Sequence, residues 1–461
     1  MRVAIAGASG FVGKALMNAL SRDYDLIALS RSNKKDSQKN IEWRACDLFS
    51  LLDAEKGLQG ADVAVYLVHS MRPSAHLSQG SFEDFDLIVA DNFVKAAERC
   101  GVKQIIYLGG LVPENQGRPS KHLESRREVE EVFEQSKVPA IIFRAAVIIG
   151  GEGSSFHIMT RLVERLPVMV CPSWTSTLNQ PVALSDVCRS IAYALGKSEF
   201  ENKTFDLGGS DILSYRDMML KVAAFKGLKR RCIPFPFVTP GLSTLWVCGV
   251  TGAPKSLVRP LIEGLRFSIV ARKDHEFKVP GHPSLSLEQA LQEANQSYDH
   301  HAKPHAFKKP EIGRFEARSV QRLPLPKGWS AEDVAKAYMD FLPKLRPLFV
   351  NVRVKDSWVY FENRFPKFTL LELEYSPERS WRNRQLFYVR GGLLSQKIGR
   401  GRLEFREVLG GRACLAAIHD FKPKLPWFVY TSTQAVFHLW VMTEFKRYLK
   451  RQEGRAAPVS T

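Results

Sequence analysis

The sequence predicts a doubly wound parallel α/β unit followed by a smaller α+β unit, and three observations carry that expectation. Over the first 150 residues, short β-branched runs alternate with amphipathic stretches. Past residue 312, strand-like segments follow one another in series and a helical stretch closes the chain. Between the two, residues 290–312 are polar, contain Pro and His, and show no period. A chain of 461 residues suits two cores. The expected division is residues 1–295, a linker at 296–312, and residues 313–455.

In the first unit, strand patterns at 3–6, 26–29, 41–44, 63–68, 104–108 and 140–143 are interleaved with helical patterns at 12–20, 85–100 and 124–133. The alternation weakens after Gly150, although 204–207 still reads as a strand. In the second unit, 316–323 is an expected strand and 330–345 a helix opened by the capping box Ser330-Ala-Glu-Asp333. Strands are then expected at 350–354, 358–361, 369–375, 385–390, 402–408 and 413–421, with a single helix over 427–450.

Composition narrows the class. Hydrophobic residues at 45% and charged residues at 25% fit a folded globular chain, and no window has the apolar length of a membrane span. Residues 1–7 run straight into a buried-strand pattern, leaving no room for an export leader. The seven cysteines are scattered and form no C-x-x-C pair, which argues against a zinc site and for a reducing compartment. His300, His301 and His305 are joined by no Cys or clustered carboxylate, and read as a solvated linker. A cytoplasmic protein is the expectation.

Charge is unevenly held. Residues 301–461 carry 30 Lys and Arg against 15 Asp and Glu, whereas residues 1–300 carry 36 against 33. The basic C-terminal part suits an anionic surface, either membrane headgroups or nucleic acid. No RNA-binding or helix-turn-helix signature accompanies the aromatic and arginine-rich stretch at 379–384, which places nucleic acid last.

The most informative motif is Gly7-Ala-Ser9-Gly10-Phe11-Val12-Gly13, set between a strand and a helix. The first glycine permits a tight turn, the second lets backbone approach a pyrophosphate, and the third lets the helix pack closely; unpaired helix N–H groups face the phosphates. This is the Rossmann dinucleotide pattern. At the end of the second strand, where an NAD site would place an acid, stand Ser30 and Arg31, with Lys34 and Lys35 just beyond. A guanidinium there pairs with a 2′-phosphate, so NADP(H) is expected over NAD(H).

The glycine spacing, Asp47-Leu48, Val68-His69-Ser70 and Asn92 together resemble an atypical short-chain dehydrogenase/reductase. The stretches 67–71, 144–150 and 166–174 are similar to two-domain bacterial members of the branch that holds NmrA-like regulators and complex I accessory subunits. The resemblance implies that Asp47 and Leu48 border adenine and that Val68, His69 and Ser70 line the cofactor. A working member carries a Ser or Thr after the fifth strand and Tyr-x-x-x-Lys on the next helix. Here Gly109-Gly110 and His122-Leu-Glu-Ser-Arg126 stand at those places. Either His122 is a general acid and Arg126 a fixed cation, or both are ordinary polar residues near a helix start capped by Ser125 and Glu128.

The second unit resembles a helix-grip fold of the START or polyketide-cyclase type, which implies an apolar cavity and a hydrophobic ligand such as a quinone or lipid. His438 and Trp440 are expected in its core. The apolar stretch 234–254 is read as a substrate lid, a membrane-docking segment, or a packing surface. The terminal helix, apolar first and then basic at Lys446, Arg447, Lys450 and Arg451, suits a lipid interface or a core closed by a helix with cations at its end. Two functions are therefore expected: an NADPH-dependent oxidoreductase on a hydrophobic acceptor such as a quinone, or a non-catalytic NADP(H)-sensing regulatory or assembly factor.

Overall fold

The computed structural model describes residues 1–31, 39–69, 77–113, 121–235, 239–296, 316–345, 350–396 and 401–455, with backbone alone at 77, 78, 121, 122 and 453–455. Lys34, Lys35, Ser70 and the linker histidines lie outside these residues. The chain divides into two compact units, Met1–Arg72 with Val89–Lys309, and Pro73–Ile88 with Pro310–Thr461.

In chain order the elements begin with β1 (Arg2–Ala6), α1 (Phe11–Leu20), β2 (Asp25–Ser30), β3 (Ile41–Ala45), α2 (Leu51–Leu58) and β4 (Val63–Tyr66). They continue with β5 (Leu77–Gln79), α3 (Phe82–Cys100), β6 (Gln104–Gly110), α4 (Lys121–Glu134), β7 (Ala140–Ala145), β8 (Ile148–Ile149), α5 (Ser154–Arg165) and β9 (Val168–Cys171). Then come β10 (Leu178–Asn179), β11 (Val182–Ala183), α6 (Leu184–Ala194), β12 (Lys203–Leu207), β13 (Leu213–Ser214), α7 (Tyr215–Phe225), β14 (Arg231–Pro234), α8 (Pro240–Thr251), α9 (Lys255–Gly264) and α10 (Leu287–Gln296).

The main sheet of the first unit has the order β12-β7-β6-β4-β1-β2-β3, with every pair parallel. Its central strands are apolar on both sides: Val3, Ala4, Ile5 and Ala6 are all buried, as a parallel sheet covered on two faces requires. On one face Leu16, Met17 and Leu20 of α1 pack with Val187 and Ile191 of α6. On the other, Tyr66 and Tyr107 meet Phe93 of α3 and Phe133 of α4, the Tyr107 and Phe133 rings stacking at 4.6 Å. Chain order reverses between β1 and β4, so their C-terminal ends open the crevice where ligands of such sheets bind.

The second unit adds β15 (Ala317–Pro324), α11 (Ala331–Phe341), β16 (Val350–Lys355), β17 (Trp358–Asn363), β18 (Phe368–Tyr375), β19 (Arg384–Gly391), β20 (Arg402–Val408), β21 (Ala413–Phe421), α12 (Trp427–Ser432) and α13 (Gln434–Arg455). Its sheet runs β16-β17-β18-β19-β20-β21-β15-β5 and is antiparallel except at β15-β5. The capping box forms as the sequence predicts, with Ser330 N donating to the Asp333 carboxylate at 2.8 Å. Tyr338, Phe341, Phe405, Phe445 and Leu449 fill the space between sheet and helices.

Four expectations need correction. Residues 77–88, inside the stretch expected in the first unit, group with the second, where Leu77–Gln79 pairs in parallel with Ala317–Ser319 and Asp84 binds Arg322 at 2.7 Å. Residues 290–296, expected to be without period, complete helix α10, whose Leu287, Ala290, Leu291 and Ala294 are buried one turn apart. The closing helix is two, interrupted at Thr433, whose φ of −124° and ψ of −81° leave the helical region. Helix α4 starts at Lys121, so Ser125 sits inside the helix rather than at its cap.

Candidate functional site

The glycine loop stands at the C-terminal end of β1, at the point where chain order reverses. Gly7 adopts φ +90°, and its carbonyl accepts a hydrogen bond from Gly10 N at 2.8 Å, closing the turn. A Cβ at Gly13 would stand 2.2 Å from Gly7 O and 2.8 Å from Ala8 Cα. Only a bare Cα lets α1 approach the strand this closely. Helix α1 begins at Gly10 with no side-chain cap and no acid in its first turn. Its leading N–H groups and its dipole are thus available to an anion.

Neighbouring strand ends supply the remaining residues. Leu67 N donates to Ala6 O at 3.0 Å, and the carbonyl of Leu67 lies 3.2 Å from where a Gly7 Cβ would stand. Half-buried Val68 and exposed His69 follow directly. At the end of β2, Ser30 is buried and Arg31 exposed. Beyond β3, Asp47 accepts from Phe49 N at 3.2 Å, and Leu48 is held through its carbonyl by Nδ2 of fully buried Asn92 at 2.9 Å. Thus Gly7, Ser9, Gly10, Phe11, Val12, Gly13, Ser30, Arg31, Asp47, Leu48, Val68 and His69 lie at or just past the C-terminal edge of three adjacent strands and β3, as one sheet edge requires.

Sequence reasoning missed how this edge is closed. The Phe11 ring occupies the space beside Gly150 and Gly153, where added Cβ atoms would come within 2.6 and 3.1 Å of it. Lys14 pairs with Glu152 at 2.8 Å across the same contact. Two glycines flanking Glu152 were the available signal.

The Tyr107 side chain fills the space beside Gly109. A Cβ at Gly109 would lie 2.9 Å from the Tyr107 ring and hydroxyl, and that ring is fixed by its stack on Phe133. Gly109 faces Arg144 in register, and Arg144 Nε lies 3.0 Å from both oxygens of the buried Glu130 carboxylate on α4. Arg126 is buried on the same helix, and the Ser125 hydroxyl, also buried, has no hydrogen-bond partner among the described residues. His122 lies in the first turn of α4, with its side chain outside the described residues. Gly109→Ser is expected to destabilise the first unit by about 1–3 kcal/mol through displacement of Tyr107. Chemical denaturation checks this, and a midpoint equal to wild type would refute the packing account.

Residues 7–164 match a protein family described as NAD(P)H-binding. The chain is 34% identical over 117 residues to the auxiliary protein GraX of Staphylococcus aureus, covering 25% of this chain and 38% of that one. It is 26% identical over 248 residues to the mouse mitochondrial NADH dehydrogenase [ubiquinone] 1 alpha subcomplex subunit 9, covering 50% and 62%. It therefore spans less than two thirds of the length of either relative. Among solved structures, a nucleoside-diphosphate-sugar epimerase from Staphylococcus aureus matches with TM-score 0.52 at 15% identity, over 63% of this chain and all of that one. A triphenylmethane reductase from Citrobacter matches with TM-score 0.51 at 18% identity, over 64% of this chain and all of that one. These likenesses establish the fold of the first unit. Among the described residues no helix is long and apolar enough to cross a membrane.

Proposed function

We propose that the first unit binds NADP(H) in preference to NAD(H) and serves hydride transfer to a hydrophobic acceptor such as a quinone. The observation that carries this reading is the glycine cradle, which a single Cβ at Gly13 would fill. Gly7, Ser9, Gly10, Phe11, Val12 and Gly13 would hold the pyrophosphate against the start of α1. Ser30 and Arg31 would take the 2′-phosphate, Asp47 and Leu48 would border adenine, and Val68, His69 and Ser70 would line the remainder. When bound, the nucleotide supplies the hydride.

An acceptor that draws its protons from solvent suits a site without a hydroxyl at Gly109. For an acceptor that needs a proton from the protein, His122 is the candidate acid, and Arg126 the cation for ribose or an anionic substrate group. Fluorescence titration of the full chain should give tighter binding of NADPH than NADH. Arg31→Ala should weaken NADPH about 10-fold, bringing it toward the NADH value. Equal affinities in the wild type would sink the preference.

A second reading is supported by Gly109, which carries no hydroxyl where the resemblance would place one, with the space beside it taken by Tyr107. On that reading the chain senses NADP(H) as a regulatory or assembly factor, in keeping with a relative named as an auxiliary protein and another named as a complex I subunit. It predicts tight nucleotide binding, no NADPH oxidation across a quinone and carbonyl panel, and a neutral His122→Ala variant. In either case a helix-grip, START-like second unit is supported by α11 and α13 packing with one sheet around a common apolar core, and a hydrophobic ligand such as a quinone or lipid is part of the same proposal. A cytoplasmic setting belongs to the same proposal.

A further inference from the structure

Helix α8 is inside out. It buries Ser243, Thr244 and Thr251 together with Val247, and it exposes Leu242 at 57%, Leu245 at 61% and Trp246 at 37%. An ordinary surface helix does the reverse. Two of the small polar side chains bond within the helix, Thr244 Oγ1 donating to Pro240 O at 2.8 Å and Thr251 Oγ1 to Val247 O at 2.6 Å, while the buried Ser243 hydroxyl has no partner among the described residues. The small side chains let the helix pack closely on its buried face, and the large apolar residues remain outside.

The exposure continues onto the two-stranded sheet beside it. On β9, Val168 and Val170 point out at 47% and 42% while Met169 and Cys171 are buried. Ile233 on β14 is the register partner of Val170 and is 52% exposed. The sheet is linked to the helix where the chain enters β9. Residue 235, just before α8, donates from its backbone to Cys171 O at 2.9 Å, and Arg165, just before β9, donates to Val250 O. The six apolar side chains thus belong to one region of the first unit, larger than the scattered single exposures of ordinary surfaces.

Charge identifies what covers it. Between Asp217 and Glu263 the sequence has no Asp or Glu and seven Lys or Arg. Lys229 and Arg231, exposed beside Ile233, and Lys255 and Arg259, exposed on the helix after α8, flank the apolar residues. A second copy of the same face would bring like charges together. A nucleic acid would leave the aliphatic side chains without partners. Arg259 is paired with Glu263 at 2.8 Å and Lys226 with Glu164 at 2.9 Å, so Lys229, Arg231 and Lys255 form the cationic excess beside the apolar residues, a combination that matches the boundary between acyl chains and anionic headgroups.

We infer that α8 and the β9–β14 edge form a docking surface for an anionic lipid bilayer, into which Leu242, Leu245 and Trp246 insert. The experiment is co-sedimentation of the full chain with phosphatidylcholine vesicles, with and without phosphatidylglycerol, at low and high salt. The wild type should bind the anionic vesicles at least ~10-fold more tightly than the neutral ones, and salt should weaken that binding. Leu245→Asp with Trp246→Asp should lower binding at least ~10-fold, with NADPH affinity and melting temperature unchanged. Lys229→Glu with Arg231→Glu, which leaves the helix intact, should abolish the preference for anionic vesicles. Equal binding to both vesicle types, retention of wild-type binding by both variants, or a dimer in native mass spectrometry that the Trp246 variant dissolves would each overturn the inference.

Discussion

Gly13→Ala is expected to lower nucleotide affinity at least ~100-fold, equivalent to about 2.7 kcal/mol, while the protein stays folded. The added methyl would stand 2.2 Å from Gly7 O and 2.8 Å from Ala8 Cα. Both atoms are backbone, so no side chain can swing aside. Relief requires α1 to lift from β1 or the turn to open, and the turn is closed by the same Gly7 carbonyl that Gly10 N binds. Either movement takes the leading N–H groups of α1 away from the crevice, with a stability cost of about 1–3 kcal/mol. NADPH titration alongside circular dichroism and a melting curve separates the two effects. A folded variant that binds NADPH like the wild type would show that the loop does not hold the nucleotide.

The second large effect is expected in the other unit, at Glu404. Arg384 Nε and Arg406 Nε each donate to Glu404 Oε1 at 2.6 Å, and His419 Nε2 lies 3.0 Å from Oε2. All four residues are buried. Burial alone would push the Glu404 carboxyl up, but Arg384 and Arg406 override it and hold it well below the ordinary range. Glu404→Ala leaves two guanidinium groups in the interior without this carboxylate, at a cost of about 3–5 kcal/mol. Urea denaturation of the full chain, followed by a probe in the second unit, measures it. A loss under about 1 kcal/mol would mean that other groups carry the two cations.

The same cluster sets a pH dependence. Burial, with Arg402 adding to it, pushes His419 down to about 4 against the contact with Glu404, and burial takes His438 to about 4 as well. The unfolded chain, with histidines near 6.5, binds more protons than the folded chain between about 6.5 and 4. Stability therefore falls as pH drops through that window, by at most about 2.7 kcal/mol per pH unit for the two residues together. Glu404 adds a loss at lower pH, because its stabilising charge is present above the unfolded carboxylate value of 4.5 and vanishes as pH falls toward its depressed folded value. Denaturation midpoints that stay flat from pH 7 to pH 5 would contradict the burial of neutral histidine.

Local chemistry decided much of what could be read in advance. The strands and helices of the first unit announce themselves because a parallel sheet covered on both faces needs continuous apolar runs, as at Val3 to Ala6. The capping box at Ser330 and Asp333 is a contact between residues three apart, and it forms as read. The glycine loop is equally local, since the clash at Gly13 involves residues only five and six positions away. Boundaries were less legible. Ser125 with Glu128 has the composition of a cap, yet α4 starts four residues earlier. The interruption at Thr433 has no breaker residue to signal it.

By itself, then, the sequence determined the strand and helix alternation of the first 150 residues, the series of strands past residue 316, the place of the glycine loop, the Arg31 that follows β2, and the glycine at position 109, because each rests on composition or on contacts between near neighbours in the chain. The tertiary structure decided which of two faces is buried and which distant segments pair. Arg402, Glu404 and Arg406 alternate along β20 as a solvated face would, and only the packed sheet turns Glu404 and Arg406 into interior charges. Residues 77–79 became a strand because β15 offered an unpaired edge more than two hundred residues away. The apolar composition of α8 was visible from the start, but periodicity reports only that two faces differ. Which one meets water is fixed by the neighbours that bury Ser243 and Thr244 and leave Leu245 outside.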